Sequence, residues 1–166
     1  MVFWSEFSAA APDVARAVRA LLCQYGPGLG YLATVRPDGA PRIHPVSPVI
    51  ADGGLFCFLL DSPKRRDLQR DGRYALHAYP AETSDDEASL SGLAWPVTDA
   101  ARRRRVAEAV RAAPRVDWQL FELTVEVALV VRRRDELGGL GAAGRAGLPV
   151  ERLVWRDESR LLQRVS

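Results

Sequence analysis

The sequence is poor in the residues that build disulfide frameworks, metal clusters and membrane spans. Its 166 residues include two cysteines and two histidines. Cys23 and Cys57 lie in apolar segments, which predicts reduced core thiols rather than a disulfide framework. No apolar run approaches the roughly 20 residues of a membrane-spanning helix, and no basic segment at the N-terminus resembles a signal peptide. These absences predict a cytoplasmic protein without a membrane partner.

An excess of charge of one sign is also lacking. The formal net charge is +2, which is too small to predict a nucleic-acid partner. The sequence has no spaced glycines of a dinucleotide fold, no phosphate-binding P-loop and no nucleophile elbow. Its length and its 48% of hydrophobic residues suit one domain, 1–166, with a core of its own.

Hydrophobic periodicity and turn residues predict a mainly β chain with three flanking helices. The helices are expected over 12–24, 63–71 and 99–113, the last of them capped by Thr98. Short turns between the strands indicate antiparallel pairing, and therefore a barrel or a sandwich. Six segments have strand character and a seventh is a candidate: 29–36, 40–51, 55–61, 73–80, 89–97, 118–134 and, as the candidate, 150–156.

Two strands and one loop carry further expectations. Prolines at 41, 45 and 48 cannot donate ladder hydrogen bonds, so the segment 40–51 should lie at a sheet edge or contain bulges. The segment 55–61 is apolar on both faces and should be buried. The glycine-rich segment 136–149 is interpreted as a flexible loop, since no helix obviously follows its glycines.

The start of the second predicted helix places cations where the helix dipole repels them. Ser62 is a favoured N-cap and Pro63 suits the first helical position. Lys64, the only lysine of the chain, then precedes Arg65 and Arg66, and each misplaced charge should cost about 0.3–1 kcal/mol. A bound phosphate would turn this repulsion into attraction. The alternative is a solvated helix end in an arginine-rich protein.

The remaining motifs each leave two interpretations open. His44 and His77 are candidates for a metal ligand or a general base, but neither has a carboxylate or cysteine at ligand spacing, which favours structural histidines. The acidic run 84–87 would suit a cation or an exposed turn. The arginines at 102–105 are better explained by a solvated helix face than by nucleic-acid binding. Core positions or contacts to a planar ligand would suit the tryptophans, which are Trp4, Trp95, Trp118 and Trp155.

Taken in order, the middle of the chain resembles a known family. Residues 30–77 read "GYLATVRPDGAPRIHPVSPVIADGGLFCFLLDSPKRRDLQRDGRYALH". This order of strand, "RPDGAPR" hairpin, "HPV", buried strand and "SPKRRDL" resembles the first half of the pyridoxamine 5′-phosphate oxidase-like flavin-binding split barrels. Residues 85–99, "DDEASLSGLAWPVTD", are similar to the acidic loop, strand and helix of many members. The resemblance covers about residues 29–133.

The resemblance implies a fold, a cofactor and a set of binding residues. The fold would be a six-stranded antiparallel split β-barrel with flanking helices, and a homodimer would bind flavin mononucleotide (FMN) at its interface. His44 would be the one candidate proton donor. Residues that would bind the cofactor come from the hairpin strand, the helix start and the C-terminal part: Arg42, His44, Pro45, Val46, Ser47, Leu60, Ser62, Lys64, Arg65, Arg66, Trp155 and Arg156.

The expected function is an FMN-dependent oxidoreductase that acts on an unknown small molecule. Trp155 stands where pyridoxamine phosphate oxidases have proline in an Arg-Leu-x-Pro stretch, so oxidation of vitamin B6 phosphates is not expected. Two alternatives stay open: a deazaflavin-dependent reductase, and a barrel that binds flavin or haem without turnover. A dimer with an empty phosphate site is a third.

Overall fold

The structure, a computed structural model, describes residues 2–82, 84–112, 117–133 and 150–158. The glycine-rich segment predicted as a flexible loop lies outside them. No helix in these ranges is long and apolar enough to cross a membrane. The described helices are α1 (Trp4–Ala10), α2 (Pro12–Leu22), α3 (Pro63–Arg70) and α4 (Ala100–Ala109). The described strands are β1 (Gly30–Val35), β2 (Pro41–Val46), β3 (Pro48–Ala51), β4 (Gly54–Leu60), β5 (Arg73–Ala78), β6 (Glu87–Pro96), β7 (Trp118–Leu123), β8 (Val127–Arg133) and β9 (Val150–Arg156).

All the strands pair antiparallel in one curled sheet. Hydrogen bonds join them in the order β2-β1-β5-β6-β7-β4-β3, while β8 pairs with β6 and β9 pairs with β8. The strands β2 and β3 stand at the two ends of this order, yet Ser47 alone separates them in the chain. The sheet therefore curls until its two ends meet at Ser47. This confirms the predicted mainly β, antiparallel architecture with helices at its sides.

The segment 40–51 forms two strands rather than the single one predicted. The chain leaves β2 at Val46 and enters β3 at Pro48. Among the described strands, each of these two has one paired neighbour, β1 for β2 and β4 for β3. The expectation of an edge position is confirmed, because each proline removes a ladder donor and only an edge tolerates that loss.

The segment 118–134, predicted as one long strand, is divided by a bulge. Between the pairs Ser91–Val127 and Ala94–Leu123, β6 advances three residues while the facing segment advances four. One extra residue on one strand is a β-bulge, which bends the strand and increases its twist. Here it carries the chain from one part of the curled sheet to the other. Gly92 faces the bulge, where an added Cβ would lie 2.1 Å from the Thr124 carbonyl oxygen.

Two helix predictions need correction. The helix α1 was not predicted: it has 7 residues, about two turns, and Phe3 precedes it in place of a hydroxyl or amide cap. The cap of α4 is Asp99 rather than Thr98, since the Asp99 carboxylate accepts a hydrogen bond from the Ala101 N–H at 2.9 Å. The start of α3 agrees with its prediction, and Ser62 is its N-cap.

The arginines at 102–105 do not form the uniformly solvated face that was predicted. Arg102 makes a bidentate ion pair with the buried Glu122 of β7, at 2.6 and 2.7 Å, and its guanidinium lies over the Phe56 ring. Arg105 pairs with Asp52 in the turn between β3 and β4 at 3.2 Å. Burial raises the pKa of Glu122, and Arg102 offsets part of that rise. These pairs fasten α4 to the curled sheet.

The two cysteines are free thiols, as predicted, but their surroundings differ. Cys57 lies in the core on β4, and burial raises the pKa of its thiol to about 12. Cys23 is only half-buried at the end of α2. The core prediction therefore holds for Cys57 and not fully for Cys23.

The C-terminus of α4 has an arginine where glycine is usual. Arg111 has a φ of 53°, while its N–H bonds to the Glu108 carbonyl and the Ala112 N–H bonds to the Ala107 carbonyl. This pair of bonds is a Schellman motif, whose left-handed residue is most often glycine. A side chain with a Cβ is strained in this conformation.

Arg111→Gly should raise the free energy of unfolding by about 0.5–1 kcal/mol, because the relief of strain exceeds the added freedom of the unfolded chain. Chemical denaturation measures the change. Arg111→Ala keeps the Cβ and should bring no gain, so an equal gain from both variants would show that the charge, not the backbone, matters.

Candidate functional site

The helix α3 starts where β4 ends, and this start is the centre of the candidate site. The Ser62 hydroxyl donates to the Leu60 carbonyl at 3.0 Å and accepts from the Arg65 N–H at 3.4 Å. Pro63 occupies the first position of the helix. The sequence thus caps α3 two residues after β4 ends. The N–H groups of Arg65 and Arg66 already bond to Ser62, so among the described residues the Lys64 N–H is the donor of the first turn that stays available to an anion.

Lys64 extends from this helix start to β2. Its Nζ atom lies 3.4 Å from the Pro45 carbonyl oxygen and donates to it. The ammonium group is also close enough to lower the pKa values of His44 and Cys57. The structure thus places Lys64 beside the hairpin strand, and that the two share one binding site stays a prediction.

Arg42 and His44 are two residues apart on β2 and therefore lie on the same face of the strand. Arg42 donates from Nε to the Asp67 carboxylate of α3 at 2.9 Å. Burial lowers the pKa of His44, and the nearby Lys64 and Arg42 lower it further. This lowering of the pKa favours the neutral imidazole. Its Nε2 atom is buried and has no hydrogen-bond partner among the described residues.

Arg65 and Arg66 diverge from Lys64. Arg65 donates to the Gln119 side chain at 3.2 Å and lies 3.6 Å from the Asp117 carboxylate, next to the start of β7. Arg66 pairs with Asp61 at 2.8 Å, and its side chain is 61% exposed. Of the three consecutive cations, Lys64 is the one that faces β2.

An apolar cleft of about 580 Å³ adjoins the helix start. Its wall includes Ser47, where the two ends of the sheet meet, and Leu60, two residues before the N-cap. The opposite wall comes from the end of α4 and from Trp118, which packs edge-on against Phe58 with ring centroids 4.8 Å apart. Cys23 is a further wall residue. The volume is within the range of small-molecule sites.

A basic groove of about 470 Å³ lies beyond Trp118, which lines both cavities. Arg103, Arg104 and Arg111 line this groove, and the Arg103 guanidinium lies over the Trp118 ring. Arg104 has Glu108 as an ion-pair partner at 4.0 Å. The groove therefore combines an aromatic wall with a positive charge.

Trp155 and Arg156 do not join the cluster within one chain. They lie on β9, which pairs with β8, whereas β2 stands at the far end of the strand order. Trp155 packs against Phe7 of α1, with ring centroids 4.9 Å apart. The other expected residues, Pro45, Val46 and Ser47, lie where β2 ends.

The remaining titratable motifs stay apart from this site. His77 lies on β5, and its Nε2 atom is 3.9 Å from the Glu87 carboxylate. In the described ranges, no three or more histidine, cysteine or carboxylate side chains are grouped as metal ligands are. This covers the described part of the acidic run at 84–87.

Sequence reasoning did not identify Thr34 or Phe58 as residues of the site, and it considered Trp118 only as one of four tryptophans that a core position or a planar ligand would suit. It considered Asp67 only as a charge that offsets part of the positive charge of the neighbouring cations. Thr34 is buried on β1 between apolar neighbours, so a polar residue on the inward face of a strand was a usable signal. For the cleft there was no such signal, because it depends on how β3, β4 and α4 come together.

Comparisons with known proteins give one family and a set of similar folds. The sequence model of the family described as pyridoxamine 5′-phosphate oxidase matches residues 15–132. No curated protein matches the sequence.

Several solved structures share the fold. A haem-binding protein of Mycobacterium smegmatis is 23% identical with a TM-score of 0.57; the match covers 82% of this chain and 57% of that one. The haem storage protein of Vibrio cholerae is 16% identical with a TM-score of 0.53, covering 70% and 89%. A Listeria innocua protein, provisionally described as a pyridoxamine 5′-phosphate oxidase, is 17% identical with a TM-score of 0.56, covering 69% and 95%. This chain thus spans little more than half the length of the mycobacterial protein.

Proposed function

The chain belongs to the pyridoxamine 5′-phosphate oxidase family, and from this premise we propose that it is an FMN-dependent oxidoreductase. The observation that carries the proposal is the meeting of Lys64, at the start of α3, with Arg42 and His44 of β2. A phosphate is the ligand that best suits this meeting of charges.

The phosphate site fits the group in three respects. A helix N-terminus and two cations attract a dianion. Arg42 uses Nε for Asp67, and its terminal nitrogens have no partner among the described residues. The buried Nε2 atom of His44 also lacks a partner there, and a buried polar atom without a hydrogen bond is costly. A phosphate oxygen would satisfy both groups.

The apolar cleft suits the flavin ring and a substrate beside it. Leu60 lines the cleft, and its carbonyl accepts a hydrogen bond from the N-cap Ser62, so a molecule anchored by its phosphate at Lys64 would reach the cleft past Leu60. When bound, the flavin supplies the transfer of a hydride or of electrons. Phe58 and Trp118, which line the cleft, would exclude water and orient the ring, and the His44 imidazole would be the group able to hold a proton.

The basic groove favours a substrate with an anionic group. Neither Arg103 nor Arg111 has a carboxylate partner in the described ranges, and both line the groove beside Trp118. A carboxylate or phosphate of the substrate would supply one. Trp155 stands where the resembling oxidases have proline, so we do not include vitamin B6 phosphates among the expected substrates.

We further propose a homodimer in the cytoplasm with the cofactor at its interface. The outer face of the sheet carries Ile43, which is 67% exposed, and Tyr31, which stacks on Tyr79 with ring centroids 5.6 Å apart. Such an apolar face is covered in an assembly. A second copy is also what would bring Trp155 and Arg156 to the cofactor, since they lie far from it in one chain.

Two alternatives use the same fold with another cofactor. A deazaflavin with a long charged tail would use the basic groove as well as the helix start. Haem is suggested by the two similar structures of haem-binding and haem storage proteins, and it would need His44 or His77 as an axial ligand. The haem alternative does not explain why Lys64 and Arg42 connect the first two turns of α3 to β2.

Titration of the purified protein with FMN, a deazaflavin cofactor and haemin, followed by visible absorption, decides between these cofactors. We expect FMN to bind with saturation at one molecule per chain and with a shift of its absorption bands. Saturable haemin binding that is lost in His77→Ala, without any FMN binding, would contradict the proposal and support the haem alternative.

A further inference from the structure

Asp67 is a buried carboxylate in the middle of the cationic site. Its side chain is 4% exposed. Its Oδ2 atom accepts hydrogen bonds from the Thr34 hydroxyl and from Arg42 Nε, both at 2.9 Å. Its Oδ1 atom lies 3.7 Å from an Arg70 nitrogen. A carboxylate this deeply buried is costly unless its partners hold it in place.

Asp67 fixes the direction in which the Arg42 side chain points. Thr34 and Arg42 are directly opposite each other on β1 and β2, so Asp67 bonds to both strands from α3 at one point. The bond to Arg42 uses Nε and leaves the two terminal nitrogens, while the arginine side chain is 30% exposed. An arginine held by its Nε has fewer rotamers left to lose when it binds a second anion.

We propose that Asp67 is a positioning residue that aims the terminal nitrogens of Arg42 at a phosphate bound at the start of α3. This inference rests on the proposed function, because it needs the phosphate site. Thr34 assists by holding the carboxylate through its hydroxyl. Asp67 is not expected to touch the ligand, since its charge repels a phosphate.

The sign of the effect of Asp67→Asn separates positioning from simple charge compensation. If Asp67 only offsets the neighbouring cations, removal of its charge makes the site more positive, and FMN binds more tightly. If it positions Arg42, the loss of a charge-assisted hydrogen bond weakens FMN binding by about tenfold in spite of the added positive charge.

The experiment measures the affinities of FMN and of riboflavin, which has the same ring without the phosphate. In Asp67→Asn, we expect FMN to weaken about tenfold and riboflavin to be unchanged. Asp71→Asn makes the same charge change at the end of α3, where Asp71 pairs with Arg73, and should leave both affinities unchanged. In the Arg42→Gln background, Asp67→Asn should add no further loss.

Three outcomes are decisive. Tighter FMN binding in Asp67→Asn, or an unchanged ratio of the two affinities, overturns the inference if Arg42→Gln still lowers that ratio. An unchanged ratio in Arg42→Gln removes the phosphate site itself, and the inference with it. If Asp67→Asn does not fold, Thr34→Val is measured with the same criteria, and Thr34→Ser should restore the wild-type ratio.

Discussion

Lys64→Ala should weaken FMN binding about 10- to 100-fold, because a hydrogen bond to a charged group contributes about 1.5–3 kcal/mol. Lys64 is the one cation of the helix start that reaches β2, through the Pro45 carbonyl. The apo protein should keep its stability or gain about 0.3–1 kcal/mol, because the cation repels the N-terminus of α3. Isothermal titration with FMN and chemical denaturation without it measure the two effects.

Arg66→Ala and Arg104→Ala provide the matched controls. Arg66 follows in the same turn but pairs with Asp61 at the surface, so it should add less than Lys64 to the loss in the double variant. Arg104 is 74% exposed on α4 and should leave FMN binding unchanged. The phosphate site is wrong if Lys64→Ala with Arg66→Ala destabilises the apo protein and does not change FMN affinity.

Arg102→Ala should lower the free energy of unfolding by about 3–5 kcal/mol at pH 7, because it leaves the Glu122 carboxylate buried without its partner. Both carboxylate oxygens bond to Arg102, and Glu122 is 5% exposed on β7. The loss should depend on pH. Without Arg102, the pKa of Glu122 rises further above its unfolded value, so the folded variant binds a proton that the unfolded chain has released. The variant therefore loses stability as the pH rises from about 4 to 7.

Denaturation of this variant at pH 4 and pH 7 measures the difference. Arg104→Ala on the same helix should cost less than about 0.5 kcal/mol at either pH. Replacing the pair with apolar residues, as in Arg102→Met with Glu122→Leu, should recover most of the stability. An equal loss for Arg102→Ala at both pH values would show that packing on Phe56, not the buried charge, is what Arg102 contributes.

The sequence predicts the strands well and their breaks badly. The prolines of 40–51 indicate an edge because they cannot donate to a ladder, but nothing local says that β2 and β3 lie at opposite ends of the sheet. The hydrophobic pattern does not predict the bulge after Leu123 either, because the bulge depends on the pairing of this segment with β6, which bends there. The helix α1 is short and has no hydroxyl or amide residue at its N-cap, although the Glu6 carboxylate accepts a hydrogen bond from the Phe3 N–H. Its formation therefore depends largely on packing against α2 and β4.

The sequence predicts only part of the candidate site, because the rest of the site depends on how distant segments of the chain meet. The cations at 64–66 can be identified because helix electrostatics makes them anomalous, and the structure shows that Lys64 faces β2. The separation of Arg65 and Arg66 from it depends on Gln119 and Asp61, which the helix pattern does not include. Asp67 has a role only once β1 and β2 are paired, because its partners come from both strands.

The prolines at 41, 45 and 48 also limit how this protein meets others. Open strand edges are templates on which a second molecule can add a strand, and long flat edges promote aggregation. Among the described strands, β2 and β3 each have one paired neighbour, and the prolines remove three N–H donors from these two short edges. A second chain that adds a strand at either edge would therefore form fewer ladder hydrogen bonds. The opening between the two ends of the sheet is thereby a poor template for fibril-like growth.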